Sequence, residues 1–281
     1  MPGTASAKKA SESEAKHAAA DGGGPHLQVR GVQKSFGDTQ VLTDVNMSIG
    51  RGHIAVIIGG SGAGKTTLLR ILIGLERPTA GSVEISGQDI AQLSDRELNS
   101  MRRKFGMVFQ YSALLDSMNV LDNVAFPMRE HTDLSEKEIK AQVTEKLNSL
   151  GLENVEKRFP SQLSGGMRKR VALARALMLE PEVIMYDEPT SGLDPVTSRM
   201  VDDMIVETRD KFGVTSVIIS HDMVGALQIA DETYLLSKGS IVASGSPQEL
   251  VRGDNELLHQ FLQSSGVTAM PGAAEKLAKG D

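Results

Sequence analysis

Gly59-Gly60-Ser61-Gly62-Ala63-Gly64-Lys65-Thr66-Thr67 is the stretch whose reading decides the fold. An apolar, β-branched run, Ile54-Ala55-Val56-Ile57-Ile58, precedes it, and Leu68-Leu69-Arg70-Ile71-Leu72 follows with helical character. Strand, glycine loop and helix form the context in which G-x-x-x-x-G-K-[ST] is a phosphate-binding P-loop. Glycines admit backbone conformations that side chains forbid, so successive N–H groups can converge on an anion. The helix N-terminus adds partial positive charge there. Lys65 is placed to reach terminal phosphate oxygens, and the Thr66 hydroxyl to ligate Mg²⁺.

Composition sets the limits around this motif. The 281 residues are 40% hydrophobic and 23% charged, enough for one or two globular domains. Thirty Lys+Arg against 36 Asp+Glu leave a net charge of −6, which argues against general nucleic-acid binding. There is no cysteine, so disulfides and thiolate zinc sites are excluded, and a reducing compartment fits. No apolar run approaches the ~20 residues of a membrane helix, and no secretory h-region opens the chain. The expectation is a protein soluble by itself, whose membrane role, if it has one, needs a partner. Residues 1–25 are small and polar and read as a disordered tail. Residues 26–263 read as the folded domain, and residues 264–281 as a flexible tail.

Leu27-Gln28-Val29-Arg30 reads as a first strand, Lys34 to Asp38 as a turn, and Val41-Leu42 with Val45 to Ile49 as the next strand. Phe36 is one of seven Phe in a chain without Trp. It is either a core plug or a stacking platform for a base, and the residues alone weigh these equally. Ser82 to Ile85 is a strand and Ser86 to Asp89 a turn. Ser94-Asp95-Arg96-Glu97 is a capping box for a helix that ends near Gly106.

The short strand Met107-Val108-Phe109 delivers Gln110. A glutamine there can bind Mg²⁺ or orient a water, or it can be a surface amide. Tyr111 to Arg129 then reads as irregular, with exposed-looking Leu114, Leu115, Met118, Val120 and Leu121. Loops of that length are usually functional. Ser135 opens a second capping box, and Ile139, Val143, Leu147 and Leu150 share a helical face that Gly151 ends. A helical subdomain is expected over 111–180.

Leu163-Ser164-Gly165-Gly166-Met167 opens the next helix. Ser164 is a good cap, but two glycines in the first turn cost about 1 kcal/mol each by propensity. They suit a backbone that must approach an anion closely; the alternative is a flexible helix start. The basic residues behind them, Arg168 to Arg170 and Arg175, read mostly as a solvated face. Val183-Ile184-Met185-Tyr186-Asp187-Glu188 is an apolar strand ending in two acids, the Walker B pattern. Asp187 suits Mg²⁺ through water, and Glu188 suits polarisation of an attacking water. Asp194-Pro195 starts a helix. Thr215 to Ser220 is a buried strand ending at His221, where a ligand role is preferred.

The P-loop, Gln110, Leu163 to Met167, Asp187-Glu188, Ser191-Gly192-Leu193-Asp194 and His221 occur in the order of the ABC-transporter ATPase family, which the chain resembles from about Leu27 to Gln263. The resemblance implies an α/β, P-loop NTPase fold of the ABC ATPase kind. It has a parallel-sheet core, an antiparallel β-subdomain holding Phe36, and an α-helical subdomain carrying Ser164. It implies ATP and Mg²⁺ as ligands, bound between two head-to-tail subunits. Phe36 would stack on adenine, and residues Gly59 to Thr67 would hold the phosphates. Ser164, Gly165 and Gly166 of one subunit would face Lys65 and Thr66 of the other. Gln110 would link Mg²⁺ to a membrane-subunit groove, His221 would hold the γ-phosphate, and the Asp194 loop would cross the dimer. Met167 departs from the glutamine usual after LSGG.

Met167, the segment Tyr111 to Thr132, and Tyr186-Asp187-Glu188-Pro189 are further similar to ATPases of Mla/Mce lipid-transport systems. This resemblance implies phospholipid or other lipid transport between inner and outer membranes, driven from the cytoplasmic face of the inner membrane. It implies a multi-span permease and an Mce-domain protein as partners, suggests a small STAS-domain protein, and implies no nucleic acid. The alternatives are the ATPase of another ABC transporter, such as an amino-acid importer, and a soluble ABC protein of repair or translation.

Overall fold

Strands β1 (Leu27–Phe36) and β2 (Thr39–Ile49) pair antiparallel, with Leu27 opposite Ile49 and Phe36 opposite Thr39. The computed structural model describes residues 24–252. The expected tails, apart from Gly24 and Pro25, and the expected domain end at 263 lie outside the described residues. The first strand runs six residues beyond the Arg30 expected from sequence. Gly31, at φ 57, lets the strand bulge, and the register shifts that follow hide the alternation of its side chains.

β3 (Ile54–Ile58) leads through the glycine loop into α1 (Lys65–Leu72). β4 (Ala80–Ile85) pairs antiparallel with β1, and the residues read as a turn after it form the two-residue strand β5 (Gln88–Asp89). The Ser94 capping box is present at α2 (Asp95–Arg102), which leads to β6 (Phe105–Val108). α3 (Val120–His131) and α4 (Glu136–Ser149) follow, the latter with the Ser135 capping box. Then come α5 (Gly165–Leu177), β7 (Val183–Asp187), α6 (Pro195–Phe212), β8 (Thr215–Ser220), α7 (Met223–Ile229), β9 (Glu232–Ser237), β10 (Ser240–Gly245) and α8 (Pro247–Arg252).

The strands form one sheet in the order β5-β4-β1-β2-β10-β9-β3-β8-β7-β6. β9, β3, β8, β7 and β6 are mutually parallel, whereas β1, β2, β4 and β5 pair antiparallel. The central parallel strand β3 is apolar and buried throughout because both its faces are covered. Alternation sorts the side chains of the parallel strands between two cores. Ala55, Ile57, Met185, Val217 and Ile219 join α1 and the antiparallel strands, while Ile54, Val56, Ile58, Ile184 and Ile218 meet α5, α6 and α7. A third core holds α3, α4 and α5 together through Val124, Met128, Ile139, Val143, Leu147 and Val171.

The irregular reading of Tyr111 to Arg129 is corrected by α3, which begins at Val120. Asn119 caps it by accepting from the Asp122 N–H, and Pro127 lies inside the helix and masks its pattern. Val120, expected to be exposed, is fully buried, and Leu114, Met118 and Leu121 are half-buried. No helix of the described residues is long and apolar enough to cross a membrane.

Candidate functional site

The glycine loop connects the C-terminal end of β3 to α1. Gly64 sits at the helix N-cap with φ 106, and no side chain caps the helix, so its first N–H groups are left for another acceptor. A Cβ at Gly64 would lie 2.7 Å from Leu42 Cδ2, and one at Gly59 would collide with the Leu236 carbonyl oxygen. A Cβ at Gly60 would meet nothing within 4 Å. The loop is therefore packed hard against β2 and β9 on one side and open on the other. Lys65 Nζ donates to the carbonyls of Gly59 (2.7 Å) and Gly60 (3.2 Å), which bends the ammonium over the loop. Ser61, Gly62, Ala63, Thr66 and Thr67 complete the cradle, Gly62 at φ 75.

The strand ends beside this loop bring the acids in. Asp187 ends β7, half-buried; burial and then the adjacent Glu188 charge push its carboxyl above the ordinary range, opposed by the nearby Lys65 ammonium. Glu188 follows at φ 49, the left-handed region that non-glycine residues rarely adopt. Its Oε2 lies 2.6 Å from His221 Nδ1, at the end of β8. Gln110 follows β6 by two residues, and its Nε2 donates to Ser191 Oγ at 3.0 Å. Gln110, Asp187, Glu188 and His221 thus gather at the C-terminal edge of the parallel strands, the edge where α/β sheets hold ligands.

Thr66, Asp187 and Gln110 offer only hard oxygen donors. Among the described residues no group of three or more His, Cys, Asp or Glu could hold a metal by itself. Such a sparse donor set fits Mg²⁺, which keeps waters and takes phosphate oxygens as its other ligands.

Phe36 is 47% exposed at the end of β1, with Lys34 Nζ 4.8 Å from its ring centre. That removes the core-plug reading and leaves an open aromatic face. Asp194 caps α6, accepting from the N–H groups of Val196 (3.0 Å) and Thr197 (3.1 Å). Ser164 caps α5, accepting from the Met167 N–H at 3.3 Å. A Cβ at Gly165 or Gly166 would meet nothing within 4 Å, so the first turn of α5 presents bare backbone. Among the described residues no hydrogen bond or ion pair joins this turn to the glycine loop.

Two features escaped the sequence reading. Of the four basic side chains of α5 only Arg168 is exposed, and each donates to a backbone carbonyl, Arg168 to Leu163, Lys169 to Gln110, Arg170 to Leu150, and Arg175 to Ser112 and Ala113. The exposed apolar surface near Gln110 is also built differently from expectation. Of the five aliphatic residues expected, only Leu115 is exposed; Phe109, Tyr111, Phe126 and Phe159 supply the rest. The segment before Phe159 lies along the start of α3, through Val120 N–H to Arg158 O and Leu121 N–H to Glu156 O. Buried Asn123 pins the Leu115 loop by accepting from the Leu115 N–H and donating to the Leu115 and Met118 carbonyls. Val196 and Met200, one helical turn apart beyond Asp194, are exposed as well.

A family model described as "ABC transporter" matches residues 42–191. The chain is 42% identical to the "Probable ribonucleotide transport ATP-binding protein mkl" of Mycobacterium leprae, covering 90% of this chain and 73% of that one. It is 42% identical to the "Intermembrane phospholipid transport system ATP-binding protein MlaF" of Escherichia coli K12, covering 84% and 88%. Among solved structures, cbiO1 from Clostridium perfringens, part of the ABC transporter complex cbiONQ, superposes with a TM-score of 0.77 at 30% identity, covering 86% of this chain and 96% of that one. The cassette MJ0796, solved as a dimer bound to ADP and Pi, gives 0.69 at 32%, covering 79% and 98%. The phosphate loop, the acids at the strand ends and the order of the motifs agree with these likenesses, and the chain belongs to the ABC transporter family, as an ATP-binding subunit that hydrolyses ATP.

Proposed function

We propose that this ATPase drives lipid transport between the inner and outer membranes, acting at the cytoplasmic face of the inner membrane with a permease and an Mce-domain protein, and with a small STAS-domain protein on the ATPase. The observation that carries the reading is 42% identity over 88% of a phospholipid-transport ATP-binding protein. The equal identity to a protein named for ribonucleotide transport gives a second reading, with a ribonucleotide as cargo. Purifying the chain from detergent-solubilised membranes tests both. An Mce-domain protein and bound phospholipid are the expected companions, and a permease that recovers with neither rejects the lipid assignment while leaving the ATPase intact.

Within the site, Phe36 stacks on adenine, and residues Gly59 to Thr67 hold the phosphates through backbone N–H groups and Lys65. Mg²⁺, when bound, would neutralise phosphate charge. Thr66, Asp187 and Gln110 are its protein-side donors. Glu188 accepts the proton of the attacking water, and His221 donates to the γ-phosphate. Ser164, Gly165 and Gly166 serve the nucleotide held by the second subunit, and Asp194 lies at the subunit boundary. The bare first turn of α5 and the exposed Val196 and Met200 support a site completed by a second copy. The folded domain is proposed to span 26–263, with the helical subdomain over 111–180.

A further inference from the structure

Lys169 is 7% exposed, and its ammonium donates to the Gln110 carbonyl. Six residues further along α5, Arg175 donates to the Ala113 carbonyl at 2.7 Å and the Ser112 carbonyl at 2.9 Å. Among the described residues neither cation forms an ion pair. Burial alone lowers the affinity of both for their protons. A buried cation without a counter-charge is a costly way to hold two elements together, and apolar side chains would pack α5 against β6 more cheaply. The loop it grips is itself strained. Ser112 and Ala113 lie at φ 64 and φ 44, two consecutive non-glycine residues in the left-handed region. Strain of that kind persists only where the surroundings over-determine it.

The grip continues into the catalytic edge. The Gln110 amide donates to Ser191 Oγ at 3.0 Å, the Ser191 N–H donates to the Glu188 carbonyl at 3.2 Å, and Glu188 meets His221. A hydrogen-bonded path therefore runs from α5, through Lys169, Gln110 and Ser191, to Glu188. α5 is also the helix that begins with Ser164, Gly165 and Gly166.

We propose that Lys169 and Arg175 are positioning residues: they hold the backbone of residues 110–113 to α5, so that the Gln110 amide is set against the acids and moves as one body with the Ser164 turn. The inference rests on the roles given above to Gln110 and Glu188. It assigns a task to two cations that touch no reacting atom. It also implies that what displaces α5 displaces Gln110, so the helix serving one nucleotide and the glutamine serving the other cannot move independently.

The test is steady-state ATP hydrolysis by the full-length protein, with nucleotide binding measured separately by a fluorescent ATP analogue. Lys169→Met keeps the stem and removes the donor. It is expected to lower kcat on the order of 10-fold to 10²-fold, the range for a catalytic group misplaced by about 1 Å, with KM and analogue binding within about 2-fold. Lys169→Arg, which restores a donor, is expected to recover most of the loss. Arg175→Lys reaches one carbonyl instead of two and is expected to give the same kcat-selective defect; it carries the test if Lys169→Met does not fold. Arg170→Met, which breaks a latch to Leu150 away from Gln110, is the control and is expected to keep kcat within about 2-fold. Unchanged kcat per folded molecule in Lys169→Met and Arg175→Lys overturns the positioning role. So does a kcat loss that Arg170→Met shares equally. Glu188→Gln run in parallel separates the two levels. If it abolishes turnover while the Lys169 and Arg175 variants keep kcat within about 2-fold of the parent, the positioning role falls and the hydrolytic assignment stands. If it hydrolyses normally, both fall.

Discussion

Glu188 Oε2 lies 2.6 Å from His221 Nδ1 and also accepts from the His221 N–H at 3.3 Å. One carboxylate oxygen is thereby committed to the end of β8, and the other remains to accept from water. Asp187 ends β7 in strand conformation, whereas Glu188 has φ 49, so two adjacent acids sit in different backbone conformations. Glu188→Gln preserves the size of the side chain and an oxygen for His221 but removes the proton acceptor. ATP turnover is expected to fall roughly 10²–10⁴-fold with nucleotide affinity retained, and ATP-bound dimers should accumulate. Single-turnover hydrolysis with size-exclusion chromatography measures both, and near-normal hydrolysis removes Glu188 from the role.

The bare first turn of α5 and the glycine loop belong to different parts of one chain, with no bond between them among the described residues. If they meet across a dimer, defects in each are complementary. Lys65→Ala chains mixed with Ser164→Arg chains should regain hydrolysis above either variant alone, because each heterodimer contains one intact composite site. Mixtures no more active than the separate variants would count against a shared site that turns over singly.

Asp202, on α6, is 6% exposed, and its Oδ2 and that of Asp222 lie 3.0 and 3.1 Å from where a Cβ on Gly225 would stand. Burial, with the Asp222 charge adding to it and Arg199 opposing, pushes the Asp202 carboxyl up to about 6. The folded form binds this proton more tightly than the unfolded form, so ionisation costs stability above pH 6, and the cost vanishes as pH falls toward the ordinary aspartate value. Asp202→Asn should therefore raise the melting temperature at pH 7.5 by a few degrees, for a gain of about 1–3 kcal/mol. The gain should disappear near pH 4. A gain independent of pH would mean that packing, not charge, is responsible.

The cluster around Glu182 has the opposite sign. Lys104 foremost, with His26 and Ser86, holds the Glu182 carboxyl down to about 2 against some burial. Burial also lowers the His26 imidazole, whose Nδ1 lies 2.6 Å from Thr215 Oγ1. Both groups take up protons more readily in the unfolded chain, so stability declines as pH falls, first below the ordinary histidine value and then toward 2. Glu182→Gln should lower the melting temperature at pH 7 and differ progressively less from the parent as pH drops below 4. A constant difference across that range would rule out the ion-pair account.

The parts of the fold legible in sequence were those written in local chemistry. Ile54–Ile58 is a continuous apolar run and Thr215–Ser220 holds the β-branched core Val217-Ile218-Ile219, and both are strands over those residues. The Ser94 and Ser135 boxes cap the helices they announce. α3 was hidden by Pro127 and by apolar residues divided between the bundle core and solvent, where Phe126 is exposed. The latches from Lys169 and Arg175 join residues about 60 positions apart and end on backbone carbonyls, which carry no side-chain signature. The positions of Gln110, Asp187, Glu188 and His221 followed from strand ends. The Glu188–His221 contact itself depends on a backbone conformation no local pattern specifies.

The exposed apolar surface beside Gln110 gives the last prediction. Leu115 is 43% exposed, as are Phe126 and Phe159, with Phe109 at 41% and Tyr111 at 84%. Aromatic side chains left in water on segments flanking one loop mark an interaction surface more readily than scattered exposure does. The bonds of Asn123 fix the Leu115 loop to α3, so the surface is presented in one shape rather than formed on contact. A short amphipathic helix of the permease fits such a surface by laying its apolar face into it. Leu115→Asp places a charge there without touching the buried Asn123 or Val120. Permease recovery from detergent-solubilised membranes should drop at least 10-fold, equivalent to about 1.4 kcal/mol, while ATP-analogue binding by the free subunit is unchanged. Tyr111→Ala, which removes the most exposed ring without adding charge, should weaken recovery less. If Leu115→Asp retains the permease in full, the surface has another occupant; if it loses both permease and nucleotide, the substitution has disturbed α3 and the fixed shape of the loop is not independent of the ATP site.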